Sequence, residues 1–425
     1  MQKLDYPSIG ETLYRDTLPN GLRLAVLTKP GYTRSFAFFA TNYGGADRRF
    51  RLGDEFIETP LGVAHFLEHK MFDMPDGDNA LATLAKSGAQ PNAYTSLDLT
   101  GYHFESTENF DTNLRTLLRF VSTPYFTEES VAKEQGIIGQ EIRMCEDDPD
   151  TVIWESMMRA LYAHHPVRNS IVGTIDSIAR ITPETLYNCH RVFYNPGNMC
   201  LAVVGDVDPE AVRAAALEVL PDYSGEQPVR DYGEPEPPEA AETRFTRAMA
   251  VSAPQMLIGF KLTPGLRGEE LLRQQCVAAL ARDCLYGPAS PFYTRLYAKG
   301  LLNADFSCSL DCAAGTATLL AGGESRDPEA VLAEMLAEAR AVAESGPERD
   351  FFERRKKAAY GKRIRQLSSF GAMCGVLADA EFQGYGALDA ISVTASVTAQ
   401  EVRDFAAEAL RPERAALGVI TPPAR

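Results

Sequence analysis

The strongest constraint on the fold is a segment that occurs twice in this chain of 425 residues. Residues 181–205 and 397–421 align without a gap at an offset of 216 residues (397 − 181). In both copies a threonine precedes an amphipathic helical pattern, which leads through a proline-containing turn into an apolar strand pattern. One α/β unit used twice is the economical explanation, and a coincidental recurrence of helix, turn and strand is the alternative.

A stretch rich in proline, glutamate and glycine divides the chain near its middle. Residues 222–243 have the composition of a linker. We therefore predict an N-terminal domain over residues 1–221, a linker over 222–243 and a C-terminal domain over 244–425. Helix and strand patterns alternate irregularly, which favours an α+β fold over a doubly wound sheet. We expect two homologous halves, each a mostly antiparallel sheet with helices packed on one face.

Charge and cysteine content restrict the partners and the compartment. The net charge of −16 repels phosphate backbones, so nucleic acid is not an expected partner. The eight cysteines are scattered without a CxxC pair, which is typical of a reduced, cytoplasmic protein. No signal-peptide pattern is recognised at the N-terminus, and no apolar run approaches the roughly 18 residues of a membrane helix. We expect a cytoplasmic protein that does not contact membranes.

Two histidines four residues apart provide the first candidate site. The sequence predicts a helix that Thr59 caps and that has Pro60 in its first turn. His65 and His69 would lie one turn apart on one face of that helix, where both imidazoles can reach one metal ion. Glu68 points to nearly the same side and can take a proton from water. This is the HxxEH pattern, and two histidines on a helix surface are the alternative.

A catalytic zinc site requires a third protein ligand. The predicted helix over residues 127–147 carries Glu134 and Glu141, which are seven residues apart and therefore on one face. Carboxylates among apolar neighbours are costly unless they are paired or bound to a cation. We assign Glu141 as the third ligand and Glu134 as an acid beside the ligands. An ordinary amphipathic helix with exposed acids is the alternative.

Together these motifs resemble the insulysin, pitrilysin and mitochondrial processing peptidase family. The resemblance rests on His65 to His69, on the segment from Asn92 to Ser96 and on the pair Glu134 and Glu141, and it covers nearly the whole chain. The chain looks most like the short bacterial members. The resemblance implies one Zn²⁺ per chain, held by His65, His69 and Glu141, with Glu68 as the general base and Glu134 as an assisting acid.

The same resemblance implies where substrate binds. The strand around Asn92, Ala93, Tyr94 and Thr95 would be an edge strand that pairs with an extended peptide through main-chain hydrogen bonds. A turn role for Asn92 and a sheet-face role for Tyr94 are the alternatives.

One departure from the family pattern concerns the second half. Family members often carry an Arg and a Tyr there that hold the substrate backbone and the developing oxyanion. Here Tyr297 stands where Arg is expected and Asn303 where Tyr is expected, and Arg295 is a weak substitute. We therefore expect a dimer, with a heterodimer favoured in which a homologous partner chain supplies the Arg and Tyr pair. A homodimer remains open.

The sequence thus predicts a zinc-dependent endopeptidase that hydrolyses short or unfolded peptides. The rival from another class is a non-catalytic scaffold or peptide-binding subunit of a heterodimeric processing complex. Such subunits usually lack an intact HxxEH motif, whereas this chain retains it. A structural zinc protein is a weaker alternative, because structural sites favour four closed protein ligands.

Overall fold

The computed structural model describes residues 1–75, 77–222 and 225–423. Residues 223 and 224 of the predicted linker lie outside the described residues. The strands, in chain order, are β1 (Gln2–Tyr6), β2 (Glu11–Thr17), β3 (Arg23–Thr28), β4 (Ser35–Thr41), β5 (Arg49–Leu52), β6 (Glu55–Glu58), β7 (Gln90–Thr95), β8 (Thr100–Ser106), β9 (Met199–Gly205), β10 (Arg244–Ala248), β11 (Gln255–Lys261), β12 (Ser307–Ala313), β13 (Thr316–Glu324) and β14 (Ala415–Thr421).

The α-helices, in chain order, are α1 (Val63–Lys70), α2 (Ala80–Lys86), α3 (Phe110–Ser122), α4 (Glu128–Asp147), α5 (Pro149–Leu161), α6 (Ile175–Ile178), α7 (Pro183–Phe193), α8 (Pro209–Val219), α9 (Gly268–Leu285), α10 (Pro291–Ala298), α11 (Pro328–Ser345), α12 (Arg349–Gln366), α13 (Phe370–Gln383), α14 (Asp389–Ser396) and α15 (Ala399–Ala409). Single turns of 3₁₀ helix occupy Pro166–Arg168, Pro196–Asn198 and Pro412–Arg414. No helix in the described part of the chain combines the length and apolar character that crossing a membrane requires.

The residues group into two compact units. The first contains Met1–Ile142, Ser170–Tyr232 and Ile364–Ala387. The second contains Arg143–Asn169, Gly233–Arg363 and Leu388–Arg425. Each unit thus includes a segment from the other half of the sequence. The N-terminal domain over residues 1–221, the linker over 222–243 and the C-terminal domain over 244–425 were defined by sequence patterns. This division stays a prediction.

The first unit is built on a seven-stranded sheet of order β1-β2-β3-β9-β4-β8-β7. Only β3 and β9 run parallel, and the other neighbouring pairs are antiparallel. One face of the sheet forms the core with α1, α3, α7 and α8, and its buried side chains include Leu24, Val26, Phe39, Tyr102 and Leu201. The strand β7 is the outermost strand next to α1 and α2.

The second unit repeats five adjacent strands of this sheet. Its strand order is β10-β14-β11-β13-β12. Here β10 and β14 run parallel and the remaining pairs are antiparallel. The order and directions match those of β3-β9-β4-β8-β7 in the first unit. The predicted α+β fold of two homologous halves with mostly antiparallel sheets is confirmed.

The sequence repeat corresponds to the same elements in both units. Helices α7 and α15, the 3₁₀ turns after them and strands β9 and β14 all begin 216 residues apart, which is the offset of the sequence alignment (399 − 183). Thr182 and Thr398 occupy the N-cap positions, and each hydroxyl accepts a backbone N–H three residues later. The recurrence is therefore a repeated structural unit.

Each sheet also carries one helix on its second face. In the first unit α13 packs on β9 and β4. Its Cys374 lies 3.7 Å from the carbonyl oxygen of Phe36, and Phe36 points away from the core face because side chains alternate along a strand. In the second unit α5 packs on β14 and β11, with Met157 and Leu161 against Gly259. Helices therefore cover one face of each sheet. A single helix from the other half of the sequence covers the second face.

Candidate metal centre

Helix α1 carries both histidines of the HxxEH motif, but it begins later than the sequence predicts. It starts at Val63, so the prediction that Thr59 caps the helix and Pro60 lies in its first turn is wrong. Thr59 instead donates its hydroxyl to the carbonyl oxygen of Arg48 at 3.1 Å. Gly62 is the N-cap, with a φ of 88°. A side chain at Gly62 would come within 2.6 Å of the Val172 carbonyl oxygen, so glycine is required by both conformation and space.

The imidazoles of α1 and a carboxylate of α4 converge. The rings of His65 and His69 have centroids 4.6 Å apart and are inclined at 62°. The Nε2 of His65 lies 3.4 Å from Oε1 of Glu141, and the Nε2 of His69 lies 3.7 Å from Oε2. One ligand atom from each of the three residues fits within 4.8 Å of the others. The structure therefore brings together the three side chains that the sequence singles out as metal ligands.

This donor set fits a zinc ion. Zinc binds imidazole nitrogen and carboxylate oxygen at about 2.0–2.2 Å, and at tetrahedral angles two such atoms are about 3.3–3.6 Å apart. The separations of 3.4 and 3.7 Å from Glu141 to the two imidazoles are close to that spacing. Two nitrogens and one carboxylate also leave a coordination position open, which is typical of catalytic rather than structural sites.

Glu134 contacts the far side of His69. The Nδ1–H of His69 donates to Oε1 of Glu134 at 3.0 Å, which directs Nε2 toward Glu141. Burial alone would lower the pKa of His69, but the hydrogen bond and the nearby carboxylates outweigh it and raise the pKa. Burial alone would raise the pKa of Glu134, but His69 and Lys70 outweigh it and lower that pKa. For Glu141 the hydrogen bond with His65 is the main cause of a lowered pKa.

Lys70 is a residue of this cluster that sequence reasoning missed. Its side chain is only 2% exposed, its ammonium lies 3.7 Å from Oε2 of Glu134, and it also pairs with Asp73. Lysine is almost never so deeply buried without a partner. A lysine inside a short apolar helix, directly after His69, is the signal that could have indicated a buried ion pair.

Glu68 lies beside the triad and is held by the neighbouring strand. The residue is 7% exposed, and its Oε2 accepts a hydrogen bond from the hydroxyl of Thr95 at 2.7 Å. Thr95 is the last residue of β7. The strand predicted to bind substrate is thus in direct contact with the carboxylate predicted to act as the base.

The four residues predicted to bind substrate lie on β7 with alternating orientation. Tyr94 is 45% exposed and stacks on Phe38 at 5.8 Å, on the sheet face opposite to Thr95. Asn92 is exposed, and Ala93 packs partly against the core. The backbone N–H of Ala93 donates to the Asn92 side chain at 2.9 Å.

The open edge of β7 can be located from these hydrogen bonds. In an antiparallel pair the backbone groups of successive residues point to alternate sides. The N–H of Ala93 points away from β8 and donates to the side chain of the preceding residue, Asn92. The N–H of Ser96 instead points inward and donates to the carbonyl oxygen of Leu99. The backbone groups of Pro91, Ala93 and Thr95 therefore point away from β8, toward the open edge. Pro91 has no N–H to donate, and proline within a sheet is usually found on an edge strand for that reason.

In the second unit, the suggested substitute Arg295 is paired with acids, and Tyr297, which stands at the expected Arg position, is exposed. The guanidinium of Arg295 lies 3.2 Å from carboxylates of both Glu334 and Glu338. Tyr297 is 54% exposed and stacks on Tyr293. Arg295 is thus already paired with two acids.

Two of the remaining histidines, His165 and His190, have structural surroundings. The Nδ1 of His165 accepts the Val167 N–H at 3.2 Å, and burial lowers the pKa of His165 to about 4. The Nε2–H of His190 donates to the Val121 carbonyl oxygen at 3.1 Å, and burial lowers its pKa to about 4 as well. Among the described residues, only His65, His69 and Glu141 form a cluster of three groups suited to one metal ion.

Comparison with known proteins identifies the family. Residues 57–175 match the profile described as Insulinase (Peptidase family M16), and residues 180–359 match the one described as Peptidase M16 inactive domain. A Bacillus subtilis protein named uncharacterized zinc protease YmfH is 36% identical over 99% of both chains. The chain therefore belongs to the insulinase family of peptidases, family M16, and several of its relatives are named zinc proteases.

Solved structures agree with this assignment. A putative M16-like peptidase from Alicyclobacillus acidocaldarius is 33% identical, covers 99% of both chains and has a TM-score of 0.93. Pitrilysin is 17% identical with a TM-score of 0.77, and there 99% of this chain matches 46% of that chain. The pitrilysin comparison concerns the fold alone, and it shows that the fold of this chain spans about half of a longer peptidase.

Proposed function

We propose that this protein is a zinc-dependent endopeptidase that hydrolyses short or unfolded peptides. The observation that supports it most is the combination, within one unit, of a zinc-compatible triad with the buried carboxylate of Glu68. That carboxylate is hydrogen-bonded to an outer strand with an open edge. His65, His69 and Glu141 would hold one ion per chain. Zinc would supply a Lewis acid that lowers the pKa of water to about 7 and polarises a peptide carbonyl.

The chain's own residues would divide the remaining work. Glu68 would take a proton from the attacking water and deliver it to the leaving amine. Glu134 would fix the orientation of His69 through the bond to Nδ1, with Lys70 balancing its charge. Neither step requires a side chain from outside the first unit.

Substrate would bind as an added strand on β7. The outward-facing backbone groups of Ala93 and Thr95 would pair with an extended peptide, which gives affinity without a strict sequence requirement. Asn92 would have to release the Ala93 N–H on binding. An extended main chain is available in short or unfolded peptides and not in a folded domain, which supports the proposed substrate class.

We further propose that the working form is a dimer, with a homologous partner chain favoured. Pitrilysin contains about twice the length of this fold, which supports a second copy of the fold in the working enzyme. The engaged Arg295 supports a partner that supplies the Arg and Tyr pair. Size-exclusion chromatography with light scattering on the lone chain is the test, and a tight, active homodimer would contradict the heterodimer.

The second candidate function is a non-catalytic scaffold or peptide-binding subunit. This alternative is supported by the match of residues 180–359 to the profile described as Peptidase M16 inactive domain. A scaffold has no need for zinc, so elemental analysis separates the two.

We also propose a cytoplasmic location, which the eight free cysteines support. Cell fractionation tests the location.

The decisive experiment is hydrolysis of a quenched, unstructured peptide by the chain, alone and with a candidate partner. We expect cleavage that a chelator abolishes and zinc restores. Glu68→Gln should abolish cleavage and retain zinc, whereas Glu129→Gln, on an exposed position of α4, should change neither. A zinc-free protein, or turnover that survives Glu68→Gln, would reject the proposed function.

A further inference from the structure

Thr95 occupies a position that joins the substrate edge to the catalytic carboxylate. Its backbone belongs to the outward-facing set of β7, while its side chain lies on the α1 face of the sheet and contacts Glu68. A threonine hydroxyl carries one proton, and an ionised carboxylate can only accept. The 2.7 Å contact with Oε2 of Glu68 therefore uses the one hydrogen that Thr95 can donate.

A second threonine lies beside this hydrogen bond. Thr100 is the direct cross-strand partner of Thr95 on β8, and their hydroxyl oxygens lie 3.4 Å apart. Thr100 is fully buried and donates its own proton to the carbonyl oxygen of Tyr43 at 2.8 Å. Thr100 lies on β8, between β4 and β7, so Thr95 faces a neighbour that is anchored in the interior of the sheet.

We propose that Thr95 is a positioning residue for Glu68, and that it sets the register between a peptide on the β7 edge and the catalytic carboxylate. This inference rests on the proposed peptidase function. The hydroxyl of Thr95 would not donate to substrate, because its one proton is committed to Glu68. Its backbone would pair with the peptide, so this one residue would position both the Glu68 carboxylate and the peptide relative to the sheet.

The test compares three variants of the full chain. Thr95→Val keeps the shape and removes the hydroxyl, and Thr95→Ser restores it. Thr12→Val is the matched control, because Thr12 also donates from a strand to a carboxylate, that of Asp5 at 2.9 Å on the exposed edge pair β1–β2. Zinc content is measured for each variant, together with kcat and KM on the quenched peptide under the conditions in which the wild type turns over.

We expect Thr95→Val to lower kcat by roughly 10- to 100-fold, since misplacing a general base by about 1 Å has effects of that size. Its KM should stay within about twofold, its zinc content should match the wild type, and Thr95→Ser should recover most of kcat. A wild-type kcat in Thr95→Val would overturn the proposal. So would a raised KM with unchanged kcat, which would make Thr95 a substrate contact.

A spectroscopic readout separates this inference from the proposed function. The visible absorption of the cobalt-loaded protein reports the surroundings of the metal whether or not any peptide is cleaved. We expect Thr95→Val to shift the spectrum in the same direction as Glu68→Gln, and Thr95→Ser and Thr12→Val to leave it unchanged. A Thr95→Val spectrum that overlays the wild type while Glu68→Gln shifts would overturn the positioning role. Absence of turnover in the wild type, both alone and with a homologous partner chain, would by contrast reject the peptidase proposal alone.

Discussion

His69 and Glu134 are joined by a 3.0 Å hydrogen bond between Nδ1 and Oε1, on the side of the imidazole that faces away from Glu141. The bond connects α1 to α4 within the metal centre. It holds the ring so that Nε2 faces the other two candidate ligands. Removing such a partner from a ligating histidine typically weakens metal binding by about 10- to 100-fold.

Glu134→Gln is therefore expected to lower zinc affinity by about that factor while the fold is retained. Competition with a chromophoric chelator measures the affinity, and circular dichroism checks the fold. Glu129→Gln, at an exposed position earlier on the same helix, is the control and should bind zinc like the wild type. Equal affinities in the two variants would argue that His69 is oriented by other contacts.

Lys70→Met is expected to destabilise the zinc-free protein by about 1–3 kcal/mol, because it removes a buried positive charge from Glu134 and Asp73. The estimate is below that for a fully buried pair because the Asp73 side chain is 41% exposed. Urea denaturation of the zinc-free protein measures the change. A variant as stable as the wild type would show that methionine packing compensates for the lost ion pair.

Ala93→Pro is expected to raise KM by about tenfold or more with zinc content unchanged. The substitution removes an outward-facing N–H that a substrate strand would use, and an edge position tolerates proline because β8 does not need that donor. Peptide hydrolysis measures KM. Ala93→Gly keeps the N–H and is the control, with KM expected within about threefold of the wild type. A normal KM in Ala93→Pro would place substrate elsewhere.

A pH-dependent prediction concerns the second unit. Glu236 accepts the backbone N–H groups of residues 163–165 and pairs with Lys261 at 2.8 Å. Burial alone would raise the pKa of Glu236, but Lys261 and the N–H donors outweigh it and lower the pKa to about 2. Because the folded-state pKa lies below the unfolded value near 4.5, the stabilisation is complete above pH 4.5 and is lost as pH falls toward 2.

Glu236→Gln should accordingly lower the melting temperature at pH 7, and the difference from the wild type should shrink as the pH falls from 4.5 toward 2. Differential scanning calorimetry across that range measures it. Glu234→Gln, at an exposed position two residues earlier, should melt like the wild type at each pH. A difference that is constant with pH would show that packing, rather than the charge of Glu236, is responsible.

The parts of the structure that follow from local patterns were predictable from the sequence. The repeat helix, turn and strand were located with the correct offset, because Thr182 and Thr398 cap helices whose apolar periodicity is clear. The spacing of His65 and His69 on one helix, and of Glu134 and Glu141 on another, likewise fixes shared faces. The structure adds that the two faces converge.

Features that depend on distant contacts were not predictable. The start of α1 is set by the Val172 carbonyl oxygen against Gly62, a contact between residues more than 100 positions apart in the sequence. The packing of α5 and α13 on the sheet of the opposite sequence half leaves no local signal, because an apolar helix face does not specify its partner sheet. Burial of Lys70 is likewise decided by the acids around it.

The open strand β7 has a consequence for the solubility of the protein. An unpaired strand edge is a template for association with other chains, and the proposed binding of extended peptides would require this edge to stay uncovered. Pro91 shortens the usable edge, and the Asn92 side chain occupies the Ala93 N–H while no peptide is present. Pro91 and the Asn92 side chain thus leave fewer backbone donors free on this edge, which limits edge-to-edge pairing between two copies of the chain.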